Sequence, residues 1–196
     1  MSYASVQVGA DKIANIYVGA DRVWPQAAAA TPGGGEAPGM VNRGALLYDD
    51  ANIIGSGTAT RAQGFEFTAN TSVSVTALAF YAPSVQAGTM TLRLWRVSDA
   101  ALLGSVEIVS PVAAEWNEAE LEVPVELTAG VNYVLGSGGL GRTWYSTLDG
   151  LVDAMSSDFT YVTGRFQSFV GSQAFPSSLS AGNSFGHHDM RYSPAA

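Results

Sequence analysis

The chain has 196 residues, of which 47% are hydrophobic and 13% are charged, and its formal net charge is −8. A chain of this length and apolar content buries a sizeable core, which excludes wholesale disorder. The acidic balance, with Lys12 as the single lysine, excludes a nucleic-acid interface built on phosphate neutralisation and disfavours anionic membranes. The absence of cysteine excludes disulfides and thiolate metal sites, and no apolar run approaches the ~18 residues of a membrane span.

Residues 1–25 contain a short repeat, in which VGADKI at 8–13 recurs as VGADRV at 18–23. Each Gly-Ala-Asp cluster is a turn signal, so we predict a small β-meander with strands at about 3–8, 12–18 and 22–24. So short a meander cannot bury enough apolar surface alone, and must pack on its own sandwich or on another protein. The residues predicted to form this anchoring interface are Val8, Ile13, Ile16, Tyr17, Val23, Trp24 and Pro25.

Residues 26–43 are rich in alanine, proline and glycine and keep no apolar period. This composition predicts a flexible tether between two folded parts. The alternative is a long loop that wraps around its own domain.

Residues 44–193 alternate short apolar runs with turn residues, in a stretch that is poor in charge and rich in glycine. This pattern predicts an antiparallel β-sandwich of the jelly-roll type. Its centre, residues 73–95, is predicted to form two strands joined by a turn at 83–88. The first is predicted to be a core strand, and the second its half-exposed neighbour. The predicted strands are 45–49, 64–69, 72–82, 89–97, 102–109, 118–123, 131–136, 142–146, 159–163 and 184–192.

Two motifs resemble catalytic signatures. Residues 136–141 fit G-x-G-x-x-G, but a strand-like sequence follows where a dinucleotide site needs a helix, so we predict a glycine hairpin loop. Residues 182–186 fit G-x-S-x-G around Ser184, but no helix follows and the chain ends soon after, so we interpret the match as chance. No catalytic residue and no cofactor are predicted.

Three clusters contain acidic or histidine side chains, which are the types that bind metal ions. His187, His188 and Asp189 are adjacent, and neighbouring strand residues point to opposite faces, so we favour a polar loop entering the last strand. Asp49, Asp50 and Asn52, with Asp189, offer oxygen ligands for Ca²⁺, but we favour a turn that uses aspartate and asparagine. Glu118, Glu120 and Glu122 share one strand face, which we interpret as solvated and as a guard against edge pairing. No metal site is predicted.

Exposed tryptophan and tyrosine side chains stack on sugar rings while their polar tips stay wet. Trp144 and Tyr145 adjoin the glycine-rich stretch, and Tyr161 begins a long serine- and glycine-rich region. We therefore regard Trp144, Tyr145 and Tyr161 as candidate glycan contacts. We favour a role as core or loop-anchoring aromatic residues, and glycan contact is the alternative.

Two resemblances add to these observations. Residues 6–25, VQVGADKIANIYVGADRVWP, resemble the opening of many tail-associated virion proteins of bacteriophages, especially those of actinobacterial hosts. Residues 45–193 are similar to an uncharacterised β-sandwich domain of bacterial surface and polysaccharide-associated proteins. The second resemblance is carried by VTALAFY at 75–81, GTMTLRLW at 88–95, WNE at 116–118, PVEL at 124–127, AGVNY at 129–133, Asn183 and residues 189–192.

The resemblances imply a non-enzymatic bacteriophage virion protein of the minor tail or fibre type, anchored by residues 1–25 and displaying the sandwich for host-surface adhesion. Its expected partners are other phage structural proteins, further copies of the chain and a host-surface glycan. Because no secretory signal is visible at Met1 to Ser5, we expect synthesis in the host cytoplasm and residence in the virion. A head fibre or capsid decoration protein, or a lectin-like carbohydrate-binding module, is the alternative.

Overall fold

The computed structural model describes residues 16–18, 21–23, 39–40, 53–82, 88–148, 155–168, 174–181, 183–185 and 187–195. Of these, residues 16–18, 21–23, 53–60, 139–148 and 183–184 are described by their backbone alone. The chain divides into two units, Met1–Glu36 and Ala37–Ala196.

The first unit contains an antiparallel pair of short strands, β1 (Ile16–Val18) and β2 (Asp21–Val23). Val18 pairs with Asp21 and Ile16 with Val23. These strands overlap two of the three strands predicted for the meander. The predicted first strand, at 3–8, lies outside the described residues.

The second unit is an antiparallel β-sandwich, as predicted. Its larger sheet has the order β10-β9-β3-β8-β5-β6, with β11 also pairing with β8, and its smaller sheet has the order β12-β4-β7. The strands are β3 (Ile53–Ala69), β4 (Val73–Ala82), β5 (Thr89–Arg96), β6 (Ala101–Val109), β7 (Glu115–Leu127), β8 (Asn132–Leu148), β9 (Phe159–Ser168), β10 (Ser178–Ser180), β11 (Asn183–Phe185) and β12 (His188–Pro194).

The core lies between the two sheets because every second residue of each strand points inward. The larger sheet contributes Phe65, Leu94 and Leu135, and the smaller sheet contributes Leu78 and Met190. All five are fully buried. Burying a side chain of this size stabilises the fold by roughly 1.5–3 kcal/mol.

The strands at 73–82 and 89–96 were predicted to lie side by side, and this was wrong. β4 is the middle strand of the smaller sheet, whereas β5 pairs with β6 and β8 in the larger sheet. The chain therefore crosses from one sheet to the other after Ala82. β5 is also buried on both faces from Leu92 to Trp95, so it is not a half-exposed neighbour.

The predicted hairpin loop at 136–141 was also wrong, since these residues lie inside the continuous strand β8. Gly136 pairs directly with Gly64 of β3. A Cβ atom on Gly136 would lie 2.4 Å from the Gln63 carbonyl oxygen, and one on Gly64 would lie 2.1 Å from that of Leu135. Glycine is required here because two backbones approach closely, a use of glycine that needs no turn.

Two residues of the predicted tether lie against the sandwich. Gly39 forms an antiparallel bridge with Arg191, and Met40 is fully buried in the core. The Met40 amide donates to the Met190 carbonyl at 3.1 Å, and the Met40 carbonyl accepts from the Ser156 amide at 2.9 Å. Residues 39–40 therefore extend the smaller sheet beyond β12. The rest of the tether and the predicted strand at 45–49 lie outside the described residues.

Candidate functional site

A half-buried aromatic pair lies on the outer face of the smaller sheet. Tyr81 of β4 pairs with Trp116 of β7, and their ring centroids are 5.9 Å apart at an interplanar angle of 67°. The neighbours of Tyr81, Phe80 and Ala82, point into the core, so Tyr81 points outward. We call Tyr81 and Trp116 the aromatic patch.

Charged residues continue this face beside the aromatic patch. Asp189, Ala79 and Glu118 form one row across β12, β4 and β7, and the next row holds Arg191 and Glu120. Of the three glutamates predicted to form a solvated face, Glu120 and Glu122 are exposed, whereas the Glu118 side chain is only 20% exposed.

The Arg191 guanidinium forms an ion pair with the Glu118 carboxylate. These two side chains come from strands on either side of β4, so the pair passes over that strand. It does so because β4 presents only the short side chains of Ala77 and Ala79 there, both fully buried. The ion pair therefore covers the middle of the outer face of the smaller sheet, and the aromatic patch lies at the end of that face.

The connection that leads into Trp116 is held rigidly. The Asn117 side chain accepts from the Val112 amide at 2.7 Å and donates to the carbonyls of Val112 and Glu115 at 2.9 and 3.0 Å. Ser110 and Ala114 have φ of 49° and 58°, and their amides donate to the carbonyls of Gly88 and Ala82. A left-handed backbone at a residue other than glycine costs roughly 1–3 kcal/mol and persists only where its surroundings fix it.

A second polar cluster lies between the sheets. The His188 Nε2 atom is 2.9 Å from the Ser137 Oγ atom, and both residues are buried, as is His187. Burial lowers the pKa of His187 and of His188 to about 3, so both imidazoles are neutral near pH 7.

This cluster does not form a serine–histidine–aspartate triad. The Asp189 Oδ1 atom accepts from the Met190 amide at 2.8 Å, and Asp189 lies on the opposite face of β12 from His188. The Ser184 side chain of the G-x-S-x-G match lies outside what the structure describes. Among the side chains that are described, no group of three or more His, Asp or Glu residues is placed to hold a metal ion. Asp49, Asp50 and Asn52 are outside the described residues.

A third cluster covers the outer face of the larger sheet. The Arg165 guanidinium donates to the Glu66 Oε2 atom through Nε at 2.8 Å and Nη2 at 2.5 Å, and Asn132 donates to the Glu66 Oε1 atom at 2.8 Å. Arg165 also lies 5.3 Å from the ring centroid of Phe175, which packs on Trp95 at 6.2 Å. These contacts hold the segment around Phe175 onto the sheet.

The candidate glycan residues are distributed as follows. Tyr161 lies on β9 with its ring 6.2 Å from that of Phe65, and it packs against the core. Trp144 and Tyr145 lie in β8, opposite Gly57 and Ser56 of β3. The side chains of Trp144 and Tyr145 lie outside the described set.

Of the predicted anchoring residues, Ile16, Tyr17 and Val23 lie in β1 and β2. Val8, Ile13, Trp24 and Pro25 fall outside the described residues.

Sequence reasoning missed the aromatic patch. The alternation of Trp116, Glu118 and Glu120 on one strand face was a signal for half of it. The partner was not readable, because alternation along β7 does not say which strand lies beside it, and β5 and β6 separate β4 from β7 along the chain.

Residues 52–185 match the model of a family described as a domain of unknown function (DUF4082), and the chain belongs to this family. The match runs from the start of β3 to the end of β11. β12 and residues 39–40, which complete the smaller sheet, lie outside it. No curated protein matches the chain. The part of the chain that the structure describes contains no helix able to cross a bilayer.

Proposed function

We propose that this protein is a structural component of a bacteriophage virion, of the minor tail or fibre type. Its N-terminal unit docks into the particle, and its sandwich is displayed for adhesion to the host surface. The observation that carries the proposal is the division of the chain into Met1–Glu36, with the β1–β2 pair, and the sandwich unit Ala37–Ala196. The proline- and glycine-rich sequence of residues 26–43, which contains the boundary of the two units, supports a display arrangement.

The chemistry of the sandwich supports adhesion over catalysis. The Ser137–His188 pair is buried, and Glu66 is bound by Arg165 and Asn132. The aromatic patch, by contrast, lies half-buried at the surface. Weak contacts made by several displayed copies gain strength through multivalency, which suits a particle that carries many of them. The same patch favours a lectin-like module as the second candidate function.

A deletion of residues 1–25 tests the docking role. It ends well before Gly39, so the hydrogen bonds of Met40 to Met190 and Ser156 are kept. We expect the tagged full chain to be incorporated into particles that assemble in the producing cell, and the shortened chain to stay in the lysate. Immunoblots of purified particles measure this.

A Trp116→Ala variant is the matched control, because it alters the sandwich and leaves the N-terminal unit intact. It should be incorporated at the level of the full chain. Equal incorporation of the shortened chain, or no incorporation of the full chain, contradicts the proposal.

A further inference from the structure

We propose that the aromatic patch, together with the Glu118–Arg191 pair beside it, binds an uncharged polysaccharide. This inference rests on the proposed adhesive function and names the class of ligand and the surface that takes it. It differs in place from the three aromatic residues singled out from the sequence.

The first argument is the unequal cover of two tryptophans on the outer faces of the sandwich. Trp95, on the larger sheet, is 2% exposed and packs against Phe175. Trp116, on the smaller sheet, packs against Tyr81 and stays half-buried. The apolar face of a pyranose ring is a good stacking partner for such a side chain, whose polar edge remains wet.

The second argument is the polar group beside the rings. The Glu118 and Arg191 side chains are 20% and 27% exposed, so they are oriented by each other and still accessible. A carboxylate accepts hydrogen bonds from sugar hydroxyls, and a guanidinium donates in a fixed planar fork. Glu120, one row further, adds a second exposed carboxylate. Ring stacking with adjacent planar polar groups fits a chain of sugar units laid along the face.

The third argument concerns the charge of the ligand. Glu115, Glu118 and Glu120 accompany Arg191 on and beside this face, and the chain carries a net charge of −8. Like charges brought together across an interface are unfavourable. The surface therefore selects an uncharged polysaccharide over one that carries uronate, sulfate or phosphate groups.

The fourth argument is preorganisation. Trp116 follows a connection fixed by Asn117 and by the backbone hydrogen bonds of Ser110 and Ala114. A surface that is already ordered loses little conformational entropy when a ligand binds.

Affinity electrophoresis of the full chain tests the inference, in gels containing galactomannan, dextran or mixed-linkage β-glucan, with alginate as the anionic polymer. We expect retardation by at least one of the three neutral polymers and none by alginate. Trp116→Ala should weaken the retardation about tenfold or more, because the stacking surface is lost. Leu179→Ala is the control, since Leu179 is 62% exposed on β10 of the other sheet and should leave retardation unchanged.

A charge reversal keeps the inference testable if Trp116→Ala does not fold. Glu120→Arg changes an exposed side chain next to the ion pair and should make alginate retard the protein. Glu126→Arg, an exposed position further along the same strand, is the matched control and should do so far less.

Three outcomes overturn the inference: no retardation by any neutral polymer, equal retardation by alginate, or a loss that follows Trp144→Ala or Tyr145→Ala and spares Trp116→Ala. None of these bears on incorporation into particles, which depends on residues 1–25. The docking role and the polysaccharide site therefore fail separately.

Discussion

Two of the buried polar clusters in the sandwich differ in charge: one holds an ion pair, and the other holds neutral histidines. On the outer face of the larger sheet, Glu66 and Arg165 are buried as an ion pair, with Asn132 satisfying the second carboxylate oxygen. Between the sheets, His188 is buried beside Ser137 without an opposite charge, and its pKa falls to about 3. The comparison shows that a buried group stays charged where an opposite charge and hydrogen bonds are supplied, and becomes neutral where they are not.

Lowering the pH should have the largest effect on the free energy of unfolding, and this effect should come from the histidine cluster. The pKa of each histidine is about 3 in the folded state and about 6.5 in the unfolded chain, so the unfolded state binds more protons between these values. Their contribution to stability is therefore complete above pH 6.5 and is lost as the pH falls toward 3. At pH 4.5 the loss is roughly 2–3 kcal/mol for each histidine, or roughly 5 kcal/mol together. Urea unfolding between pH 7.5 and 4.5 measures it.

Between pH 7 and 5 the change in the free energy of unfolding should come from the histidines, because carboxylates with ordinary pKa values remain ionised there. The chain contains only these two histidines, so His187→Asn/His188→Gln removes every histidine contribution. That double variant should show almost no dependence of stability on pH in this window. A slope equal to that of the unchanged protein would refute the assignment.

Breaking the ion pair is the second way to test the comparison. Arg165→Met leaves the Glu66 carboxylate buried with Asn132 alone, and we expect the free energy of unfolding to fall by about 3–5 kcal/mol. Adding Glu66→Gln should restore a large part of the loss, because no uncompensated charge is then buried. Urea midpoints of the single and double variants measure both effects.

The exposed Arg96–Asp99 pair provides the control, with an N–O distance of 2.6 Å and side chains 43% and 47% exposed. Asp99→Asn should leave the midpoint unchanged within error, because solvent screens such a pair. If Arg165→Met were equally harmless, the outer cluster would not depend on a charged pair.

The strands and the sandwich could be predicted from the sequence because alternation reports burial directly. Residues 73–82 and 89–96 were identified as strands from their apolar pattern alone. Their placement in different sheets could not be predicted, because alternation says which face is buried and nothing about which strand lies beside it.

The two glycine results illustrate the same limit. Glycine permits both a turn and a close approach of two strands, so the run at 136–141 was compatible with a hairpin loop. Only the pairing of Gly64 with Gly136 distinguishes a turn from a close approach of two strands.

The aromatic patch could not be predicted for a related reason. Tyr81 and Trp116 meet because β4 pairs with β7, although β5 and β6 come between these strands along the chain.

The smallest expected effect distinguishes the hydrogen bond of His188 from its protonation. Ser137→Ala removes the hydroxyl 2.9 Å from the His188 Nε2 atom and should lower the free energy of unfolding by about 1–3 kcal/mol at pH 7.5. Ser105→Ala, at an exposed position on β6, is the control and should change it by less than about 0.5 kcal/mol. Because burial depresses the pKa of His188, the Ser137→Ala stability curve should run parallel to that of the unchanged protein between pH 7 and 5. A clearly different slope would mean that the serine hydroxyl, and not desolvation, keeps the imidazole neutral.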